Sequence, residues 1–232
     1  VMLSAPARYH VRGMAINIVT KDYAGTNQLS GQIIGGMEQN KYAKGFGNVY
    51  LSMQRGKFGL DAQYKLVNGN SYGESSRIAN HPLANNRVHY TDETGQKSFG
   101  ITHDYRLGMN YAFSKNHRLD VAYTGQWDKT SSNSHTTGSS ISGMHSDSHE
   151  YLQNVDANYT LPFGLTLSGS YTYYRTPQQQ TLDGTLTAEN MTDTERNLTS
   201  GSEQTINKWM FTADQTHSLA NGWGLSYGVK GQ

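Results

Sequence analysis

The sequence predicts an all-β fold: a partial, antiparallel, up-and-down transmembrane β-barrel of about nine strands. Three observations lead to this fold class. Stretches of about ten residues alternate apolar and polar side chains, the links between them alternate between short and long, and the polar positions hold mostly Gly, Ser, Thr, Asn, Gln and Asp. In a membrane barrel the apolar side chains face lipid, the polar ones line the interior, and the short turns share one rim.

The composition excludes several other classes of protein. No run approaches the roughly 18 apolar residues of a membrane helix, which excludes a helical membrane protein but not a barrel of short strands. The net charge of +1, from 19 Lys and Arg against 18 Asp and Glu, is a poor nucleic-acid footprint. With no Cys, the chain cannot form disulfides, thiolate zinc sites or cysteine nucleophiles.

Alternation is clearest after residue 118, where Leu119, Val121 and Tyr123 oppose Asp120 and Thr124. Four other segments have the same pattern, and four shorter or weaker ones complete the nine. The apolar sides of the four clear segments are Leu60, Ala62, Tyr64, Leu66; Phe99, Ile101, Tyr105, Leu107, Met109, Tyr111, Phe113; Tyr151, Val155, Ala157, Tyr159, Leu161; and Phe163, Leu165, Leu167, Tyr171, Tyr173. The weaker segments begin near Leu29, Val49, Trp209 and Trp223. The third of them is expected either to contain a bulge or to have a different register, because Gln215 and His217 interrupt its apolar side.

The links predict which strand ends share a rim. Tight turns are expected at residues 55–58, 114–117, 161–164 and 220–223, and long polar loops at 38–45, 68–96, 129–147 and 176–204. If the short turns are periplasmic, aromatic residues fall at both membrane interfaces. The lower ones are Phe113, Phe163 and Trp223, and the upper ones are Phe99, Trp127, Tyr151, Tyr171 and Tyr173.

Few residues point to specific chemistry. His145, Asp147 and His149 could hold a transition metal, but they share parity with the outward side chains, so a solvated loop is the favoured interpretation. No catalytic motif positions a nucleophile. Seven charges are expected inside the barrel, where they either contact a substrate or, as we prefer, pair with one another: Asp61, Lys65, Asp104, Arg106, Asp120, Asp156 and Lys208. Catalytic, cofactor-binding and metal-binding residues are therefore predicted to be absent.

The amino-terminal stretch VRGMAINIVTK differs from all later strands because both of its faces are apolar. It lies within SAPARYHVRGMAINIVTKDY (4–23), which resembles the end of the plug domain in TonB-dependent outer-membrane receptors. Residues 30–66, SGQIIGGMEQNKYAKGFGNVYLSMQRGKFGLDAQYKL, resemble the first two hairpins of the receptor-like barrels common in the Bacteroidetes. The resemblance implies the last plug strand in residues 1–24 and part of the barrel in residues 25–232.

The resemblance also implies a function. It implies a transporter in the outer membrane of a Gram-negative bacterium, not an enzyme, that imports a siderophore, cobalamin, glycan or peptide. Its partners would be outer-membrane lipid, the TonB complex and a surface lipoprotein, with no cofactor and no nucleic acid. Since such receptors have more strands and a larger plug, we expect the chain to be a fragment. Two alternatives stay open: a soluble or surface-attached β-sandwich adhesin, and a small outer-membrane hydrolase barrel.

Overall fold

The computed structural model describes residues 27–83, 86–186, 194–218 and 224–232. These residues form one antiparallel sheet in which every strand pairs with its neighbours in sequence. The predicted all-β, up-and-down order is therefore confirmed, as is the number of nine strands in the described residues. The strands are β1 Asn27–Gln39, β2 Ala43–Arg55, β3 Phe58–Leu83, β4 Asn86–Ser114, β5 His117–Gly138, β6 Ser140–Thr160, β7 Leu165–Leu186, β8 Thr194–Ser218 and β9 Gly224–Gly231.

The predicted plug strand, residues 1–24, lies outside the described residues, as does the turn at 220–223. Within the described parts of the chain, β1 and β9 each pair on one side, and the sheet is not closed into a barrel. No helix in those parts is long and apolar enough to cross a membrane.

The register places the predicted apolar side chains on one side of the sheet, which we call the apolar face. One row joins Leu107 to Tyr123, Tyr123 to Val155, and Val155 to Tyr171 and Trp209 across five strands. Directly opposed side chains on one face contact each other and stabilise the pairing. The other side, the polar face, carries the predicted interior charges in the same way, because strand side chains alternate.

A single layer leaves both faces uncovered. Among the described residues there is no buried hydrophobic side chain, and Leu107, Trp209 and Phe211 are 51%, 57% and 59% exposed. A sandwich would bury these side chains between two stacked sheets about 10 Å apart. The described residues provide no second sheet for such a core.

The turns and loops differ in how well the sequence predicted them. The tight turns at 55–58, 114–117 and 161–164 are confirmed. All four predicted long loops are wrong, because strands continue into the described residues of each. The link predicted at 38–45 is reduced to residues 40–42, and strands run through residues 68–83, 86–96, 129–138, 140–147, 176–186 and 194–204. The strands β3 and β4 reach 26 and 29 residues, or roughly 85 and 95 Å at about 3.3 Å per residue. We call the parts beyond the apolar stretches the hairpin extensions.

The bulge or different register expected in β8 is also wrong. The β7–β8 register runs without a shift from Leu165–Gln215 upward, and the irregularity lies instead at Ala112–Ser114 of β4. The two polar residues that interrupt the apolar side of β8 have partners near the short turns. Gln215 Nε2 donates to the Phe163 carbonyl at 2.7 Å, and His217 Nε2 lies 3.0 Å from the Tyr227 hydroxyl. Polar side chains at a strand end can thus be satisfied locally without a bulge.

Candidate functional site

The apolar face carries a band without Asp, Glu, Lys or Arg. In β4 to β7 it covers residues 99–111, 119–127, 151–159 and 165–173, counting the side chains on this face. The next ionisable side chains on the same face are Lys97, Lys129, His149 and Arg175. The band therefore has a well-defined upper edge, at the start of the hairpin extensions.

Several polar side chains inside the band bind each other, although His103 Nε2 is buried there without a hydrogen-bond partner. The Tyr64 hydroxyl lies 2.6 Å from His103 Nδ1, and the His103 ring lies 4.8 Å, centre to centre, from the Trp127 ring. Gln153 Nε2 donates to the Tyr105 hydroxyl at 2.6 Å, and the Tyr123 hydroxyl donates to Gln153 Oε1. Aromatic side chains with one polar end suit an interface between apolar and aqueous surroundings.

The predicted interior charges are largely paired. Arg106 Nε lies 3.0 Å from Asp61 Oδ2, and Lys65 Nζ lies 3.5 Å from Asp104 Oδ2. Asp120 is bound by the neighbouring Arg118 at 2.6 Å, and Asp156 accepts a hydrogen bond from the Asn154 amide. The polar face thus satisfies most of its own charge. Asp61, Arg106, Asp120 and Asp156 line a common groove of about 200 Å³.

The residues His145, Asp147 and His149 lie in strand β6, so their predicted position in a loop is wrong. Asp147 Oδ2 lies 2.9 Å from His145 Nε2, while His149 stacks on Tyr151 with ring centres 6.5 Å apart. A hydrogen bond from Ser131, followed by the one to His145, lowers the pKa of Asp147 below its ordinary value. The described residues contain no group of three His, Cys, Asp or Glu that could hold a metal ion.

Ser131, Asp147 and His145 also bear on the hydrolase alternative. A catalytic triad needs the histidine between the serine and the acid, so that the imidazole can take the hydroxyl proton. Here the acid is in the middle, and the second ring nitrogen of His145, Nδ1, lies 2.7 Å from Asn133 Oδ1. The residue types are those of a triad, but their order does not activate a nucleophile.

In the described parts of the hairpin extensions lie larger grooves, of about 690, 620 and 520 Å³. Sequence reasoning missed them because it assigned these segments to loops. The first lies around Tyr72, Lys97 and His135, the second around Lys129, His149 and Glu203, and the third around His135, Asp183 and Arg196.

Two cross-strand contacts support the extensions. Lys41 Nζ lies 3.3 Å from the centre of the Tyr72 ring and 3.6 Å from Glu74 Oε1, which connects the β1–β2 turn to β3. Arg175 binds both carboxylate oxygens of Glu203, at 2.8 and 3.3 Å, and so joins β7 to β8. Bidentate pairs of this kind fix geometry as well as charge.

Comparison with known proteins gave no assignment. No protein-family model matches the chain, and no curated protein is significantly similar to it.

Proposed function

We propose that the chain forms part of the wall of an outer-membrane β-barrel and that the whole protein is a TonB-dependent receptor that imports a nutrient ligand. The observation that carries the proposal is the single-layer sheet with an uncovered apolar face. In water that face would expose a continuous apolar surface across nine strands, far beyond what soluble proteins leave open. In the proposed position, the hydrocarbon chains of the membrane lipids cover the apolar face.

The dimensions of the band support this cover. A stretch of nine residues, such as 119–127, spans roughly 26 Å along the strand at about 3.3 Å per residue. Barrel strands cross the membrane at a tilt with about 9–11 residues. The band has the length required for one crossing, and aromatic side chains stand at both of its edges.

Closure of the barrel requires partners for β1 and β9. Unpaired backbone groups cannot be satisfied in hydrocarbon, so a membrane sheet must have no free edge. We propose that further strands of the same protein pair with these two edges. Because residues 4–23 resemble a plug strand, we propose that a plug lies inside that larger barrel.

The hairpin extensions would then stand outside the cell. With residues 99–111 of β4 in the band, residues 86–98 would project beyond the membrane together with residues 71–83 of β3, which pair with them. Long projecting hairpins offer the surface on which a ligand is captured before import. The ligand is a siderophore, cobalamin, glycan or peptide, and the paired interior charges favour none of these.

A localisation and transport experiment tests the proposal. The full-length protein should remain in the outer-membrane fraction after carbonate extraction. Growth on one ligand class should require both this protein and TonB, so that deletion of either one abolishes it. A monodisperse protein in plain buffer, with Leu119, Val121 and Tyr123 buried, would support the adhesin alternative instead.

A further inference from the structure

The groove of about 620 Å³ lies directly above the uncharged band on the apolar face. Lys129, Asp147, His149, Gln179 and Glu203 line it. Lys129 on β5 opposes His149 on β6. This pair is the next one above the Trp127–Tyr151 pair on the same face, two residues further along each strand. The groove thus begins where the aromatic upper edge of the band ends.

The charged side chains around this groove differ in the contacts that they already make. Glu203 is held by both contacts from Arg175, and Asp147 by Ser131 and His145. Lys129 forms no ion pair among the described residues, although it lies near enough to Asp147 to help lower the pKa of that carboxyl. Its ammonium group therefore keeps donors for an anion, while the two carboxylates keep acceptor positions for hydroxyl groups.

We propose that this groove binds the phosphate-bearing, hydroxylated headgroup of a membrane lipid. Lys129 would contact the phosphate, and Asp147 and Glu203 would accept hydrogen bonds from the headgroup hydroxyls. The inference rests on the proposed membrane position of the band, which places lipid headgroups at this height. A site of this volume suits a group of headgroup size.

Two further observations favour a headgroup over a soluble ligand. The groove lies on the face that the band turns toward lipid, not on the polar face. In addition, Lys97 is the first charged side chain of β4 above the band on this face, as Lys129 is on β5, so two cations outside the ion pairs of the described residues lie at its upper edge. Basic side chains near a membrane surface attract anionic headgroups.

Trp127 provides the reporter for a test, since it lies two residues from Lys129 on the same face. The full-length protein, with its other tryptophans replaced by phenylalanine, is placed in vesicles that contain brominated phosphatidylglycerol or brominated phosphatidylcholine. The first lipid carries a net negative charge and free hydroxyls, and the second carries neither. We expect about fivefold enrichment of phosphatidylglycerol beside Trp127, the ratio that corresponds to about 1 kcal/mol.

The Lys129→Gln variant should lose this enrichment, whereas Lys208→Gln should keep it, because Lys208 lies on the polar face opposite Thr172. Equal quenching by both lipids, or a preference that survives Lys129→Gln, would overturn the headgroup site while leaving the membrane position intact. If neither lipid quenches Trp127, the proposed membrane position itself fails, and the headgroup site fails with it.

Discussion

Val121 and Ala122 are neighbours in β5 whose side chains point to opposite faces of the sheet. Val121 lies in the uncharged band, whereas Ala122 lies beside Asp61, Asp120 and Asp156. We expect Val121→Arg to destabilise the membrane-inserted protein by about 2–4 kcal/mol, the cost of a cation on a lipid-facing position near the midplane. Ala122→Arg should be tolerated. Unfolding in urea from vesicles measures both, and equal effects would contradict the assignment of the faces.

Gly138 controls the tight connection between β5 and β6. Its φ is +130°, and a Cβ at this position would overlap the Thr91 carbonyl oxygen. Gly138→Ala should therefore destabilise the β5–β6 hairpin by roughly 1–3 kcal/mol. Amide hydrogen exchange of residues 130–147 is the measurement. Gly143→Ala is the matched control, because an added Cβ there has no atom within 4 Å, and equal loss of protection in both variants would contradict this explanation.

Arg106 tests whether the paired interior charges have a transport role. Its ion pair with Asp61 is partly exposed, so its loss should cost less than about 1 kcal/mol. We expect Arg106→Gln to leave both the fold and ligand uptake unchanged, because the pairing satisfies the interior rather than a substrate. Loss of uptake with an intact barrel would instead assign Arg106 to the transport path.

At the scale of elements, the hairpin extensions should depend on pH. Arg175 lowers the pKa of Glu203 below its ordinary value of 4.5, and Ser131 and His145 lower the pKa of Asp147 below 3.8. Because the folded pKa values are depressed, this stabilisation is present above those ordinary values and is lost as the pH falls through the folded ones.

Hydrogen exchange of the β7–β8 extension, corrected for intrinsic rates, should therefore show falling protection below about pH 4.5. Glu203→Gln should remove most of this pH dependence, and Glu93→Gln on β4 should keep it. Protection that does not change between pH 6 and pH 3 would show that these pairs do not stabilise the extension.

The sequence predicted the strand segments that form the band, but not the continuation of those strands into the hairpin extensions. Within the band only one face is polar, so Leu119, Val121 and Tyr123 alternate visibly with their neighbours. Beyond it, Lys129, Ser131 and Asn133 alternate with Thr130 and Ser132, and both faces are polar. A strand solvated on both sides has no hydrophobic period, which is why the extensions were predicted as loops. The order Ser131–Asp147–His145 depends on the same register and could not be derived from sequence.

At the scale of the whole molecule, the sheet is stabilised by cross-strand pairing and not by a core. The described residues bury no hydrophobic side chain, and the two outer strands each have an unpaired edge. A sheet of this kind needs a cover for its apolar face and partners for its edges. The need for a cover could be predicted from the sequence, because the alternation of apolar and polar residues is visible on each single strand. The need for edge partners follows from the order in which the strands pair.

The most direct measurement asks which face touches hydrocarbon. These 232 residues contain no cysteine. Single cysteines can therefore be placed at positions 119–128 of the full-length protein in native membranes, with any cysteine elsewhere in that protein replaced by serine. We expect a water-soluble maleimide to label positions 120, 122, 124 and 126 and to leave 119, 121 and 123 unlabelled until the protein is denatured. Equal labelling at odd and even positions, or protection of the odd positions without any membrane, would contradict the account.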